Sequence, residues 1–187
     1  MITQYDHLFA AVEACRPRRI LEIGTWNGEH GAQMIRIAQR FNPAIEYWGF
    51  DLFAHCPEYE LPKQPPPMSA ALATLQATGA TVHLVEGNTR ETLAVQWRSL
   101  PPMDFIFIDG GHSLETITSD WKYCSKLLHA KTVVMFDDYY PDRTDAGAKP
   151  LIDRLVPDSR YAVKIIQPPI KYPVCTTNIV RLTLAPQ

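Results

Sequence analysis

Leu21-Glu22-Ile23-Gly24-Thr25-Trp26-Asn27-Gly28-Glu29-His30-Gly31 carries an apolar run into a cluster of glycines and on into a helical pattern. The run Arg19–Ile23 has the length of a strand, and Met34, Ile35, Ala38 and Phe41 behind it fall on one helical stripe. A glycine-rich turn between a strand and a helix lets the backbone approach a ligand closely. Dinucleotide-binding proteins use similar turns, so the glycines alone leave the ligand open.

Four more short apolar runs follow: Glu46–Phe50, Thr81–Val85, Asp104–Ile108 and Thr132–Phe136. None alternates strictly with polar residues, which suits parallel strands buried on both faces. Helical segments separate them. Leu114, Ile117, Trp121, Cys124 and Leu128 form a stripe with Ser113 placed to cap its start, and Gly79 punctuates a helix around Ser69–Thr78. Alternating strands and helices predict an α/β, doubly wound, mostly parallel sheet with helices on both faces. Tyr161–Ile166 and Thr176–Leu184, joined by a Pro-rich loop, read as an antiparallel hairpin on one sheet edge.

The 187 residues suit one domain, 1–187, and a hydrophobic content of 46% suffices for a globular interior. A net charge of −2 with scattered Lys and Arg gives no reason to expect nucleic acid or an anionic membrane. Cys15, Cys56, Cys124 and Cys175 fit neither a zinc cage nor a disulfide framework. With no leader-like start and no bilayer-length apolar run, the cytoplasm is the expected location. Nothing fixes an oligomeric state, a dimer included. Sixteen prolines, clustered at Pro57–Pro67, Pro101-Pro102 and Pro168-Pro169, mark loops.

Glu22 narrows the ligand. A carboxylate beside a phosphate-cradling loop repels the phosphates, and Glu22-x-Gly24-x-x-x-Gly28 departs from G-x-G-x-x-G. S-adenosylmethionine carries an ammonium and a sulfonium and no phosphate, so it suits this loop. Asp51, ending the second strand, can accept hydrogen bonds from both ribose hydroxyls of an adenosyl group. In Glu86-Gly87-Asn88-Thr89, Gly87 lets the backbone pass an adenine and Asn88 can bond its edge; Asn88 can equally cap the following helix.

Phe105-Ile106-Phe107-Ile108-Asp109-Gly110-Gly111-His112-Ser113 puts Asp109 at the end of the fourth strand, and Val133-Val134-Met135-Phe136-Asp137-Asp138-Tyr139 puts two carboxylates at the end of the fifth. Parallel strand ends share one edge, so Asp109, Asp137 and Asp138 are expected to converge. Crowded carboxylates repel one another unless a cation sits among them, and an all-oxygen set suits Mg²⁺ or Mn²⁺. Such an ion would hold an acceptor hydroxyl and lower its pKa, leaving His112 to take the proton. The plainer alternatives are that Asp109 orients cofactor or substrate without metal, that Asp138 serves only its turn, and that His112 is a solvated turn residue.

The Glu-x-Gly-x-x-x-Gly loop, Phe50-Asp51-Leu52-Phe53, Ile108-Asp109-Gly110-Gly111-His112-Ser113 and Phe136-Asp137-Asp138-Tyr139 resemble class I S-adenosylmethionine-dependent methyltransferases. More narrowly they resemble methyltransferase family 24, related to the macrocin-type sugar O-methyltransferases and, more distantly, to catechol O-methyltransferase. The resemblance runs from Arg19 to Tyr140. It implies a Rossmann-like sheet of seven strands with the last antiparallel. Glu22, Gly24, Thr25, Trp26 and Gly28 would line the methionine part of the cofactor, Asp51 and Leu52 the ribose, and Gly87, Asn88 and Thr89 the adenine. Asp109 would border the cofactor and the chemistry together. Asp109, Asp137 and Asp138 match the Mg²⁺ positions of metal-dependent members, with the family's spacing of 28 between the first two. His112 matches the base of some sugar-modifying relatives.

Two departures limit what carries over. Only Met1–Pro17 precede the first strand, where larger members have long additions that shape acceptor pockets. Catechol O-methyltransferase relatives have a Lys base in the turn that here offers His112. The expected reaction is methyl transfer to a hydroxyl of a small molecule, a sugar or a phenol. Its rivals are a metal-independent enzyme acting on nitrogen or a macromolecule, and a cofactor-binding module without turnover. Leu52–Met68, with His55, Cys56, Tyr59 and Lys63, is a candidate lid. Arg143 and Asp145 are positioned to touch substrate.

Overall fold

The structure, a computed structural model, describes residues 3–55, 64–173 and 175–186. Five strands, β1 (Arg19–Ile23), β2 (Glu46–Asp51), β3 (Thr81–Glu86), β4 (Phe105–Ile108) and β5 (Val133–Tyr139), pair in parallel in the order β3-β2-β1-β4-β5. Between and around them lie α1 (Gln4–Cys15), α2 (Glu29–Gln39), α3 (Met68–Gln76), α4 (Thr89–Gln96), α5 (Leu114–Cys124) and α6 (Lys149–Leu155). The hairpin expected at the end of the sequence is present: β6 (Tyr161–Ile165) and β8 (Thr176–Leu184) pair antiparallel from Tyr161 opposite Leu184 to Ile165 opposite Val180. β8 is the inner strand, antiparallel to β5, and β6 forms the edge. A two-residue strand, β7 (Ile170–Lys171), adds to β8. The doubly wound, mostly parallel sheet is thus the fold. Its chain reverses direction of travel at β1, which has β2 on one side and β4 on the other, and ligands of such sheets bind at that switch point.

Each strand sends alternate side chains to opposite faces. Ile20, Tyr47, Phe105, Phe107, Val133 and Met135 pack on one face with Leu8 and Val12 of α1, Met34 and Ile35 of α2 and Leu75 of α3. Leu21, Ile23, Trp48, Phe50, Ile106, Ile108, Val134 and Phe136 pack on the other with Leu93 of α4, Ile117, Trp121 and Cys124 of α5 and Leu151 and Ile152 of α6. Burying such a side chain contributes about 1.5–3 kcal/mol, so these two layers supply most of the drive to fold.

Two expectations change. β3 is an edge strand, with Thr81, His83 and Glu86 exposed, because no strand pairs beyond it; Val82, Leu84 and Val85 are only half-buried. Phe41 lies past the end of α2 and is 37% exposed, its ring capped by Arg16 at 4.6 Å and Arg40 at 5.8 Å. After α5, a 3₁₀ turn at Ser125–Leu127 buries Leu127, and Leu128 beyond it packs half-buried against the same core as Ile117, Trp121 and Cys124. Ser113 caps α5 as expected, accepting from the Thr116 amide. Helices α1 and α6 come without a strong apolar stripe in the sequence. α1 is announced only by Thr3-x-x-Asp6, which closes a reciprocal capping box. Among the described residues no helix is long and apolar enough to cross a membrane.

Asp104 pins the opposite end of the sheet. Its carboxylate accepts from the Arg18 and Arg19 amides at 2.8 and 2.9 Å and lies 2.9 Å from His129 Nε2. Burial alone would raise its pKa; the Arg18 and Arg19 amides and His129 outweigh that, and the net shift is downward. A lowered folded-state pKa means stability that is present above the usual carboxylate pKa of about 4 and lost as pH falls through the folded value. Asp104→Ala is expected to destabilise by about 2 kcal/mol at pH 7, seen as a Tm about 4–8 °C lower, with the gap to wild type narrowing below pH about 4.

Candidate active site

The ladder of the sheet continues past the strand ends. Gly24 N–H donates to Phe50 O, Asp109 N–H to Ile23 O and Gly87 N–H to Asp51 O, each at 2.8 Å. These bonds draw the glycine loop and the turns after β2, β3 and β4 onto one rim. Gly24 sits at φ +90°, and a Cβ on it would lie 2.0 Å from the Asp109 carbonyl oxygen. Only glycine allows that approach. Gly31 serves differently: a Cβ there would meet Tyr47 Oη at 2.6 Å and Glu22 Oε2 at 2.9 Å, so α2 lies directly over the Glu22 side chain.

Glu22 is buried, and Tyr47 donates its hydroxyl to Glu22 Oε2. Burial pushes its pKa up to about 8; the Tyr47 bond pulls the other way and Asp51 adds to the rise. The carboxyl therefore faces the underside of the loop, beside buried Thr25, and favours the neutral acid at pH 7 unless a cation approaches.

Asp51 holds the loop from the next strand. Oδ2 accepts from the Trp26 amide at 2.7 Å, where Trp26 has φ +51°, and Oδ1 accepts from the Phe53 amide at 2.6 Å. Burial raises its pKa, against the pull of the amides. Half-buried Leu52 follows it. Asn88 caps α4, its Oδ1 accepting from the Arg90 amide at 3.0 Å, with Gly87 at φ +128° before it and Thr89 buried after it. In the candidate lid, His55 Nε2 lies 3.7 Å from Glu86; Cys56, Tyr59 and Lys63 fall outside the described residues.

A small pocket of about 10 Å³ lies beside the carboxylates, lined by Ile108, Asp109, Gly110, His112, Phe136, Asp137 and Asp138 among others. Asp109 and Asp137 lie close enough for each to shift the other's pKa. Burial, then the charges of Asp137, Asp138 and Glu22, raise the Asp109 pKa far above the carboxylate range. Burial and Asp138 lift Asp137 to about 7. Asp138 is close enough to repel both, but its carboxylate points elsewhere, with Oδ2 3.1 Å from His112 Nε2. All three carboxylates line the same pocket, with Asp138 engaged by His112. Among the described residues no three His, Cys, Asp or Glu side chains are gathered where an ion could sit. Adjacent residues of a strand face opposite ways, and here Asp138 also takes φ +55° at a break in the β5–β8 register.

Several residues at the site carry no signal of chemistry in the sequence. Gln4, at the start of α1, donates from Nε2 to Asp137 Oδ2 at 2.8 Å and accepts at Oε1 from the Tyr172 hydroxyl at 2.7 Å. The other Asp137 oxygen accepts from the Asp138 amide at 2.9 Å. Tyr5 stacks on His30 of α2 with centroids 3.7 Å apart. Burial and the charges of Asp109 and Asp137 raise the pKa of its hydroxyl, which stays protonated beside them. The loop after β5 closes back on His112, Gly147 N–H donating to its carbonyl at 2.8 Å. The Thr3-x-x-Asp6 box is the one feature that could have flagged α1. Arg143 and Asp145, placed by position near substrate, pair with each other at 2.9 Å in an exposed loop.

The methyltransferase-domain profile of methyltransferase family 24 matches residues 21–139. No curated protein matches the chain. Among solved structures, the chain is similar to the O-methyltransferase TomG of Streptomyces achromogenes, involved in tomaymycin synthesis and solved with S-adenosylmethionine. The identity is 19% over 100% of this chain and 82% of that one, with a TM-score of 0.72. An O-methyltransferase from Bacillus cereus in complex with S-adenosylhomocysteine is 16% identical over 98% and 81%, TM-score 0.72. A precorrin-6y C5,15-methyltransferase from Geobacter metallireducens is 16% identical over 96% and 87%, TM-score 0.63. At these identities the likeness is one of fold. The family match covers more than half of the chain and ends on the last residue of β5, so the protein belongs to methyltransferase family 24 of the class I S-adenosylmethionine-dependent methyltransferases.

Proposed function

We propose that this methyltransferase transfers a methyl group from S-adenosylmethionine to a hydroxyl of a small molecule, a sugar or a phenol. One observation carries the reading: Asp109 touches both halves of the reaction. Its backbone lies against Gly24 of the glycine loop, and its carboxyl lies against Asp137. A donor seated on the loop and an acceptor seated on the carboxylates therefore meet at this residue. That similar folds hold S-adenosylmethionine and S-adenosylhomocysteine supports the donor, and that two of them are O-methyltransferases supports the acceptor.

In this reading Glu22, Gly24, Thr25, Trp26 and Gly28 surround the methionine end of the donor, Asp51 and Leu52 the ribose, and Gly87, Asn88 and Thr89 the adenine. The raised pKa values of Glu22, Asp51 and Asp109 mark a rim short of positive charge, which a sulfonium and an ammonium would supply. S-adenosylmethionine, when bound there, would supply the methyl group as an electrophile and leave as S-adenosylhomocysteine, and His112 would take the proton of the acceptor hydroxyl. Asp138, at 3.1 Å, orients that imidazole. Gln4 and the Asp138 amide fix Asp137 on the acceptor side. Holding the two reactants in line supplies most of the acceleration.

Asp109 and Asp137 suit a hard divalent ion such as Mg²⁺ or Mn²⁺ in donor chemistry, since a cation would relieve their repulsion. When bound there, the ion supplies a Lewis acid for the acceptor hydroxyl. The engagement of Asp138 with His112 favours a second reading, metal-free transfer with the His112–Asp138 pair as the base, open to nitrogen acceptors as well.

Labelled S-adenosylmethionine offered with a panel of phenols, sugars and amines tests the acceptor class; methylation confined to amines or macromolecules would overturn the first reading. His112→Ala is expected to lower kcat by about 10²–10⁴-fold while S-adenosylhomocysteine affinity by calorimetry stays within threefold. Turnover in EDTA separates the two metal readings: loss of activity restored by Mg²⁺ and abolished in Asp137→Ala supports the ion, and indifference to both supports metal-free transfer. Gly24→Ala should lower S-adenosylhomocysteine affinity by more than about 100-fold, since the added methyl displaces the Asp109 backbone.

A further inference from the structure

Among the described residues, Asp120 is the one whose buried side-chain oxygens, Oδ1 and Oδ2, both lack a hydrogen-bond partner. It lies on the inward side of α5 and is 0% exposed. Its surroundings would suit a leucine: Ile117, Trp121 and Cys124 on the same helix face are buried core residues. A carboxyl kept there without partners destabilises the fold, and such departures from local rules gather where a second state of the molecule supplies the missing bonds.

Two loops meet above it. Oδ2 lies 3.7 Å from where a Cβ on Gly110 would stand. Thr89 is close enough to pull on its pKa, which burial lifts to about 6, though it makes no bond of good geometry. Thr89 ends the turn after β3 and Gly110 belongs to the turn after β4. The proposed function places the first around the adenine, and the second follows Asp109, where it has donor and acceptor meet; the inference rests on that reading. Asp120 is too deeply buried to reach a bound ligand itself.

We infer that Asp120 is a positioning residue for the cofactor: in the ligand-bound enzyme its carboxyl takes bonds from Thr89 and the Gly110–Gly111 turn and ties the two turns together from beneath. With the two turns placed as they are the carboxyl is unpaired, and turns drawn together about the cofactor satisfy it.

The test pairs calorimetric binding of S-adenosylhomocysteine with thermal unfolding of the ligand-free protein for Asp120→Leu and Asp120→Asn. Asp120→Leu raises the ligand-free Tm by a few degrees and weakens binding by about tenfold or more. Asp120→Asn, which keeps an acceptor and adds a donor, binds within threefold of wild type. Binding unchanged in Asp120→Leu overturns the inference, as does a lower ligand-free Tm in Asp120→Leu with no recovery of binding in Asp120→Asn, the pattern of a packing role. Wild-type protein that does not bind S-adenosylhomocysteine overturns the cofactor reading, and the inference with it.

Discussion

A strand in a sheet covered on both sides cannot send two consecutive side chains to the same place, and the chemistry of this protein follows from that. In β1, Ile20 and Glu22 face the layer of α1, α2 and α3, while Leu21 and Ile23 face α4, α5 and α6. The same alternation runs through Tyr47 and Asp51 of β2, Phe105, Phe107 and Asp109 at β4, and Val133, Met135 and Asp137 of β5. Four carboxyls that are far apart in the chain thus lie on one side of the rim. Asp138, one step beyond Asp137, belongs to the other side, and there it meets His112.

Gathering these acids has an electrostatic consequence. Glu22, Asp51, Asp109 and Asp137 each have a raised pKa, burial being the largest cause in every case and neighbouring carboxyls adding to it in Glu22, Asp109 and Asp137. Among the described residues no cationic side chain pairs with these four acids, and acids held in that way favour the approach of positive charge. The described partners of these groups are neutral donors: the Tyr47 hydroxyl, the Trp26 and Phe53 amides and the Gln4 side chain. They fix the positions of the acids and leave their charge uncompensated.

The first helix has an unexpected part in this. Gln4 reaches Asp137 and Tyr5 reaches His30, so α1 spans the rim from the end of β5 to α2 behind the glycine loop. Neither residue belongs to a pattern in the sequence. A glutamine at a helix start is ordinary, and its meaning comes from Asp137, 133 residues away. Tyr172, which orients the Gln4 amide, is as distant from it and as unremarkable.

Local patterns had settled the strands β1, β2, β4 and β5 to within a few residues, the terminal hairpin, the Ser113 cap and the glycine loop, because apolar periodicity and turn chemistry act over short stretches. They had also placed Glu22, Asp51, Asp109, Asp137 and His112 at strand tips. That much the sequence determined by itself. Tertiary structure decided which tips touch, that Asp138 turns to His112, that Glu22 lies beneath α2 under Tyr47, that β3 is an edge and that Asp120 has no partner. Those outcomes depend on strand order, on which face a side chain takes and on helices packed from elsewhere in the chain, and none of these is a property of a residue and its near neighbours.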